Sequence, residues 1–362
     1  MKNKSKASEK EFSALMFVLA LSPGLRMLPR LSAEFGGRTA WIGALVAFGP
    51  VVLVWLTVRR LGGMCREGES FGDMLIRKLG KVGGRIVCII FLLWLIAYIG
   101  FLARVCGERY MTSEYENDSS IGYIVAVLLL GCLAARGNVR SLTRAAGLFM
   151  AVLIAAVALV TALAVKDVKI SNLLPISYMD ALPVLGSAVT ALDAATAGVY
   201  AVFLTGEVEA GKKPGRAAIA ITAILLLLFS GVNFVTVGCY GSTLTAKLQN
   251  PFFALIRNLK GGGDFERIEA LVIALWVVAD FSIIGMNLLV CCKILQTVFG
   301  TAEHKVFALP VTAVAGAAAY LVAPDAFVLQ WLSDRLVPMV HLGFALVILP
   351  LLLLILNIRK KE

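Results

Sequence analysis

Ten long apolar stretches dominate the sequence and constrain its fold more than any motif does. Each is close to the 20 or so residues that an α-helix needs to cross the hydrocarbon core of a bilayer. Inside lipid, a helix satisfies all of its own backbone hydrogen bonds. The sequence therefore predicts an all-α polytopic membrane protein with ten transmembrane helices. The stretches run approximately over residues 12–32, 39–58, 84–105, 120–136, 145–165, 183–207, 217–238, 268–296, 306–323 and 336–357.

The composition agrees with a membrane protein. Apolar residues make up 59% of the 362 and charged residues only 16%, whereas an ordinary soluble domain has about 25% charged residues. This excludes a water-soluble enzyme of one or two domains, and also disordered, collagenous and disulfide-stapled proteins. Because the connections between the stretches are short, we expect a single integral membrane domain over residues 1–362.

The net charge of +11 does not indicate nucleic-acid binding, because the basic residues concentrate in alternate connections. Lysine and arginine cluster before the first stretch, between the second and third, and at tips such as Arg59-Arg60 and Lys212-Lys213. Cytoplasmic loops of membrane proteins carry such an excess. We therefore expect both termini in the cytoplasm, and a first stretch that is retained as a helix rather than cleaved as a signal peptide.

No metal, cofactor or catalytic residue is expected. The seven cysteines show no C-x-x-C spacing and mostly lie in apolar stretches, where cysteine usually acts as a small hydrophobe. His304 and His341 are the only histidines, and neither has a nearby serine or cysteine to form a nucleophilic pair. His341 is interpreted as a core imidazole with its hydrogen bonds satisfied. The chain is therefore not expected to be an enzyme.

Two of the ten stretches contain residues that interrupt helices. The first stretch contains Ser22-Pro23-Gly24, which predicts either a break or a simple proline kink. The sixth contains the small-residue run from Gly186 to Tyr200 with Asp193 at its centre. These stretches are equivalent if residues 1–165 and 166–362 are two five-helix halves of opposite topology. Interrupted helices at matching positions of an inverted repeat predict a transporter-type site at the middle of the membrane.

Four segments carry a family resemblance, and the fourth is the most specific. With the number of spans and the chain size, they make the chain resemble the spore germination permeases over essentially its full length. These permeases are the B subunits of germinant receptors and belong to the amino acid–polyamine–organocation transporter superfamily. The segments are residues 23–30 (PGLRMLPR), residues 172–175 (NLLP), Glu207 with Lys212-Lys213-Pro214, and Asn250-Pro251 through residues 264–271 (DFERIEAL) to Trp276.

The resemblance implies a fold, a role and partners. The fold is the five-plus-five inverted repeat of amino acid transporters, with helices 1 and 6 broken. The role is the sensing of a small nutrient, classically an amino acid, at the inner membrane of a dormant spore. The partners are the other germinant receptor subunits, an A-type membrane subunit and a C-type lipoprotein, together with the lipid bilayer.

The candidate ligand site lies between the two interrupted helices. We expect a ligand carboxylate to meet backbone N–H groups near Pro23 to Leu25, and the ligand amine to face carbonyl groups near Thr190 to Asp193. Aromatic side chains on helices 3 and 6 would complete the site. The candidate ligand-binding residues are Ser22, Pro23, Gly24, Leu25, Tyr98, Phe101, Thr190, Asp193, Thr196 and Tyr200.

Three acidic residues are candidates for coupling or gating. A charge at mid-membrane is costly, so Asp193 either contacts a ligand amine, cation or proton, or hydrogen-bonds to the neighbouring backbone as a structural group. Asp280 in helix 8 is either a cation or proton site or the partner of an arginine such as Arg26. Glu207, at the end of helix 6, is expected to form a salt bridge or an inner gate.

Three functions remain open at this point. The first is a nutrient-sensing subunit of a spore germination receptor with transporter-like architecture. The second is a proton-coupled amino acid permease. The third is a membrane scaffold that binds no ligand and only holds the other receptor subunits.

Overall fold

The computed structural model describes residues 6–66, 69–113, 120–209, 215–258 and 265–358. These residues are almost all helical. Among them the only strand-like pairing is an isolated parallel bridge between Ala7 and Val208. The all-α prediction is confirmed.

Sixteen α-helices follow one another in the described ranges, joined by short 3₁₀ and π segments. They coincide in position with the ten apolar stretches, apart from four short helices outside them, α4, α10, α11 and α14. The helices are α1 Glu9–Gly36, α2 Ala40–Val46, α3 Phe48–Gly62, α4 Phe71–Leu79, α5 Lys81–Ser113, α6 Ser120–Ala135, α7 Val139–Ala164, α8 Ala181–Thr196, α9 Arg216–Tyr240, α10 Ser242–Lys247, α11 Pro251–Asn258, α12 Phe265–Phe299, α13 Ala308–Val322, α14 Ala326–Trp331, α15 Val337–Gly343 and α16 Leu349–Ile358.

Eight segments of the described chain are long and apolar enough to cross a membrane. The first of them, Glu9–Gly62, contains α1 together with α2 and α3, and a further apolar helix, Ser120–Ala135, is shorter than the rest. The predicted count of ten stays a prediction, as does the division into two halves at residue 165, which falls between α7 and α8. The chain is an integral, multi-pass membrane protein.

The predicted break in helix 1 is wrong. Residues Glu9–Gly36 form one continuous helix, with Pro23 and Pro29 inside it. A proline removes one N–H donor and crowds the preceding turn, but a transmembrane helix tolerates this where neighbouring helices pack around it. Here α1 contacts α7, α8, α9 and α12, and almost every side chain from Ser13 to Leu25 is buried. Packing against the surrounding helices therefore stabilises α1 as one continuous helix.

The predicted break in helix 6, the sixth apolar stretch, is present. It lies a few residues after the expected centre at Asp193. Helix α8 ends at Thr196, and after Ala197 and Gly198 the chain continues as a 3₁₀ helix over Val199–Glu207. A 3₁₀ helix of nine residues is unusual, because runs beyond about four residues are uncommon. Helix 6 therefore changes type just after Asp193.

The core depends on helices that approach closely through small residues. Ala40, Gly43 and Ala44 on α2 are buried against α8. A Cβ atom added to Gly43 would lie 2.6 Å from the backbone nitrogen of Ala188 and still closer to the Ser187 hydroxyl. Only glycine therefore fits at position 43.

Two connections are structured. Helix α4 has Phe71, Met74 and Leu75 fully buried, and the Ser70 side chain caps its first turn. Beside it, hydrogen bonds from Arg77 lower the pKa of Glu69. The second connection is the pair α10 and α11, which is interrupted before Pro251.

Candidate ligand site

A small buried cavity of about 20 Å³ lies where α1, α5, α8, α12 and α15 meet. Six residues that the sequence singles out line it together. They are Ser22, Pro23, Tyr98, Phe101, Asp193 and Asp280. Residues separated by up to 258 positions are thus brought to one point, beside the break in helix 6, where Ala194 and Ala197 also contribute to the lining.

Two carboxylates face this cavity in different surroundings. Asp280 is only 3% exposed and accepts a hydrogen bond from the Ser22 hydroxyl. Asp193 Oδ1 lies 3.4 Å from His341 Nδ1, but no group among the described residues forms a hydrogen bond to that oxygen. Buried polar atoms normally have a partner. The Asp193 carboxylate is therefore the acid that retains capacity to bind a further donor.

His341 belongs to the site, although the sequence interpretation placed it in the apolar core. Its side chain is 2% exposed and packs edge-on against Tyr98, with ring centroids 4.8 Å apart. The expected satisfied imidazole is not what the structure has, because His341 Nε2 has no hydrogen-bond partner in the described ranges. The general cost of ionisable residues inside a membrane is the signal that could have identified it.

Arg26 is the second residue that the sequence interpretation did not assign to the ligand site. It lies one helical turn after Ser22, on the same face of α1, and lines the cavity. Its Nη2 atom lies 3.1 Å from the sulfur of Met27. The site therefore combines one guanidinium group with two carboxylates.

Aromatic rings form one wall of the site. Tyr98 stacks on Phe101 with centroids 6.1 Å apart, and its ring centroid lies 6.0 Å from that of Tyr200. The Tyr200 hydroxyl accepts a hydrogen bond of 2.7 Å from Trp94 Nε1. Tyr200 does not line the cavity. It lies at the start of the 3₁₀ segment and packs against Tyr98, which does.

Besides Tyr200, four predicted ligand residues lie outside the cavity. Thr190 contacts Ser32, with 2.9 Å between the hydroxyl oxygens, and the Thr196 hydroxyl donates to the Leu192 carbonyl at 2.8 Å. Gly24 packs against the Phe229 ring, and Leu25 is buried in the core.

The expected contact of a ligand carboxylate with backbone N–H groups near Pro23 to Leu25 is not supported. Because α1 is continuous, those N–H groups lie inside the helix, where they bond to carbonyls one turn earlier.

The cavity is closed on the side of Gly36, which we call the Gly36 end of the bundle. A second cavity of about 70 Å³ lies beyond Arg26 and Met27 and shares both residues with the first. The Arg30 guanidinium donates to Asp334 across this outer cavity. An ion pair therefore closes the route from the Gly36 end.

The opposite side, which we call the Glu9 end, also carries an ion pair. Lys293 Nζ lies 2.6 Å from Glu207 Oε1, and the lysine side chain is 16% exposed. The Glu207 carbonyl also accepts from the Ala7 N–H at 3.0 Å. The salt bridge expected at Glu207 is present, and it joins the end of the 3₁₀ segment to α12.

We expect the Lys293→Met variant to lower the free energy of unfolding by about 1–2 kcal/mol, because it leaves Glu207 without its partner. Combining it with Glu207→Gln should recover part of this loss, as a double-mutant cycle measured by denaturation in detergent would show. Lys305→Met, at an exposed lysine, should change little. Strictly additive single effects would contradict the coupling.

Among the described residues, no group of three or more histidine, cysteine or acidic side chains is placed to hold a metal ion. The charged groups at the cavity are an arginine, a histidine and two aspartates. Such a set fits a small polar ligand with charges of both signs.

Comparisons with known proteins agree with this architecture. The model of the spore permease family, described as spore germination protein, matches residues 6–326. No protein with a curated description matches the sequence. The fold is similar to that in the crystal structure of MhsT in complex with L-phenylalanine, with a TM-score of 0.60 and 13% identity, covering 91% of this chain and 88% of that one. Such low identity shows likeness of fold alone. Because the family match covers most of the sequence, the chain belongs to the spore germination protein family, built on a membrane-transporter fold.

Proposed function

We propose that this protein binds a small amino acid in the central cavity and acts as the nutrient-sensing subunit of a spore germination receptor. One observation carries the proposal. Arg26, Asp193 and Asp280, which are far apart in sequence, converge on one buried cavity beside the break in helix 6. A free amino acid carries one charge of each sign, so it complements this arrangement.

Each charged group has a distinct role. The Arg26 guanidinium would bind the ligand carboxylate, because a planar guanidinium pairs well with a carboxylate. The open Oδ1 atom of Asp193 would accept from the ligand ammonium group. The C-terminal end of α8 adds a partial negative charge at the same place. His341 Nε2 is available for a further hydrogen bond to the ligand.

The volume of the cavity indicates how the ligand enters. About 20 Å³ is close to the space that a single water occupies, so the surrounding helices must separate to admit an amino acid. The ion pairs Arg30–Asp334 and Glu207–Lys293 lie at the two ends. A ligand that binds the open and closed arrangements with different affinity would shift their populations, and this shift would be the signal passed to the receptor.

The proposal extends to location and partners. With the Glu9 end in the cytoplasm, as the basic connections favour, the Gly36 end faces outward and receives the nutrient. The protein would then lie in the spore inner membrane with both termini cytoplasmic, beside an A-type membrane subunit and a C-type lipoprotein. Membership of the spore germination protein family supports the role, and the L-phenylalanine bound by the similarly folded MhsT supports the ligand class.

A proton-coupled permease is the second candidate, because Asp193 and Asp280 are both placed to exchange a proton. The experiment that separates the two is a thermal-shift screen of the purified protein against the L-amino acids, followed by uptake of the hit in proteoliposomes. Binding without accumulation under a pH gradient would support sensing. Gradient-driven accumulation would support the permease. If the protein shows neither binding nor uptake, the non-binding scaffold is the function that remains.

A further inference from the structure

A third cavity, of about 180 Å³, lies at the Glu9 end and is not used by the proposed ligand site. It lies between α1, α3, α9 and the 3₁₀ segment. Its walls are mainly apolar and include Phe12, Met16, Trp55, Val58, Ile221 and Leu225. We call it the slot. Its volume is well above that of the central cavity.

The slot is long and runs parallel to the helices. On α1 its lining extends from Glu9 to Phe17, which is about 12 Å at about 1.5 Å per residue. One leaflet of the hydrocarbon core is about 15 Å thick. The slot therefore reaches through most of one leaflet and ends near Ala195, next to the break in helix 6.

Among the described residues that line the slot, charged groups occur only at its mouth. They are Arg59, Glu9 and Glu209, and Arg59 Nε lies 3.5 Å from Glu9 Oε1. Deeper inside, the hydroxyls of Ser13 and Thr205 already donate to backbone carbonyls, at 2.8 and 2.6 Å. The interior thus offers few polar groups to a soluble nutrient, whereas the mouth offers both signs of charge.

The mouth borders the surface that faces the bilayer. A Cβ atom at Gly215 would lie 3.7 Å from Arg59 Nη1, 3.8 Å from Leu56 and 4.0 Å from Ile219. Leu56 and Ile219 are large apolar residues at the exposed surface, and in a membrane protein such residues contact lipid. An acyl chain can therefore reach the slot from the bilayer, with its headgroup at the level of Arg59.

We propose that the slot binds one acyl chain of a membrane phospholipid with an ethanolamine headgroup. The apolar walls bury the chain, the Arg59 guanidinium binds the phosphate, and Glu9 or Glu209 accepts from the ammonium group. With one basic and two acidic side chains among its described residues, the mouth favours a headgroup that carries both charges over a purely anionic one. The bound chain touches Ala195 and Thr205, on either side of the break in helix 6.

The test uses proteoliposomes of phosphatidylethanolamine and phosphatidylglycerol, with a trace of phosphatidylethanolamine that carries a photoreactive group at the end of one acyl chain. We expect cross-links to map to residues around Met16 and Leu225. Ala218→Trp fills the slot, because Ala218 lines it, and should lower labelling about tenfold. Ala220→Trp, on the same helix but exposed, should label like the original protein.

The headgroup contact is tested with a second matched pair. Arg59→Gln removes a charge-assisted hydrogen bond to the phosphate and should lower labelling about tenfold, whereas Arg60→Gln, at an exposed neighbour, should not. An equivalent phosphatidylglycerol probe should label the slot more weakly. On the unmodified protein, excess unlabelled phosphatidylethanolamine should remove the cross-link, so the proposal is testable even if a variant does not fold.

Several outcomes would overturn the proposal. Equal labelling of Ala218→Trp and Ala220→Trp would show that the chain does not enter the slot. Equal labelling by the phosphatidylglycerol probe would refute the assigned headgroup. Protection of the slot by a free amino acid, but not by unlabelled lipid, would assign it to a soluble ligand. Loss of amino acid binding at the central cavity, by contrast, would leave this inference unaffected.

Discussion

Replacing Asp193 by asparagine should weaken amino acid binding about a hundredfold while the protein remains folded. The change removes the charge that would pair with the ligand ammonium group, and the loss of such a buried contact costs about 3 kcal/mol, or about two factors of ten in affinity. Stability should change little, because Asp193 Oδ1 forms no hydrogen bond to any described residue. Titration calorimetry with the amino acid that binds most tightly measures the effect.

Asp167→Asn is the matched control for this variant. Asp167 is an exposed aspartate in the connection after α7, outside the cavity, so its neutralisation should leave the affinity unchanged. If Asp193→Asn binds the ligand as tightly as the original protein, Asp193 is a structural acid and the ligand ammonium lies elsewhere.

Gly43→Ala should destabilise the bundle by about 2 kcal/mol, the usual effect of inserting volume into a packed core. The new methyl group would clash with the Ala188 backbone nitrogen, 2.6 Å away, and a backbone atom inside α8 cannot move aside as a flexible side chain can. Because α8 also carries Asp193, ligand affinity should fall as well. The midpoint of thermal unfolding in detergent reports the stability.

Gly49→Ala supplies the control for the stability measurement. Gly49 lies in α3 with nothing within 4 Å of an added Cβ atom, and alanine is a better helix former by up to about 1 kcal/mol. This variant should therefore be as stable as the original protein or slightly more so. A Gly43→Ala protein that unfolds at the same temperature as Gly49→Ala would contradict the close approach of α2 and α8.

The positions of the membrane helices could be predicted from the sequence because hydropathy and length act locally. The continuity of α1 could not, because it depends on its neighbours. Ser22-Pro23-Gly24 favours an interruption when considered alone, but Gly24 lies against the Phe229 ring, which is distant in sequence. In helix 6 the chain changes from an α-helix to a 3₁₀ helix at Ala197 and Gly198, where Gly198 packs closely against Leu19 of α1.

Part of the site could be predicted because an ionisable side chain inside a membrane is energetically costly and is therefore expected to have a function. This argument identifies Asp193 and Asp280, which line one cavity. The spacing from Asp193 favours Thr196 as a site residue, yet a threonine in a helix can satisfy its hydroxyl on its own backbone, and it does so. The same argument could have flagged His341 as a site residue, but not its partner, because one sequence cannot show that α15 carries it to within 3.4 Å of Asp193.

The nine-residue 3₁₀ segment from Val199 to Glu207 could become shorter by converting to an α-helix. A 3₁₀ helix rises about 2.0 Å per residue and an α-helix about 1.5 Å, so rewinding this segment would shorten it by about 4.5 Å. The same change, from about 3.0 to about 3.6 residues per turn, would rotate one end by about half a turn relative to the other. Tyr200 and Glu207 lie near the two ends of the segment. Rewinding it would therefore rotate the aromatic wall and displace the Glu207–Lys293 ion pair at the same time.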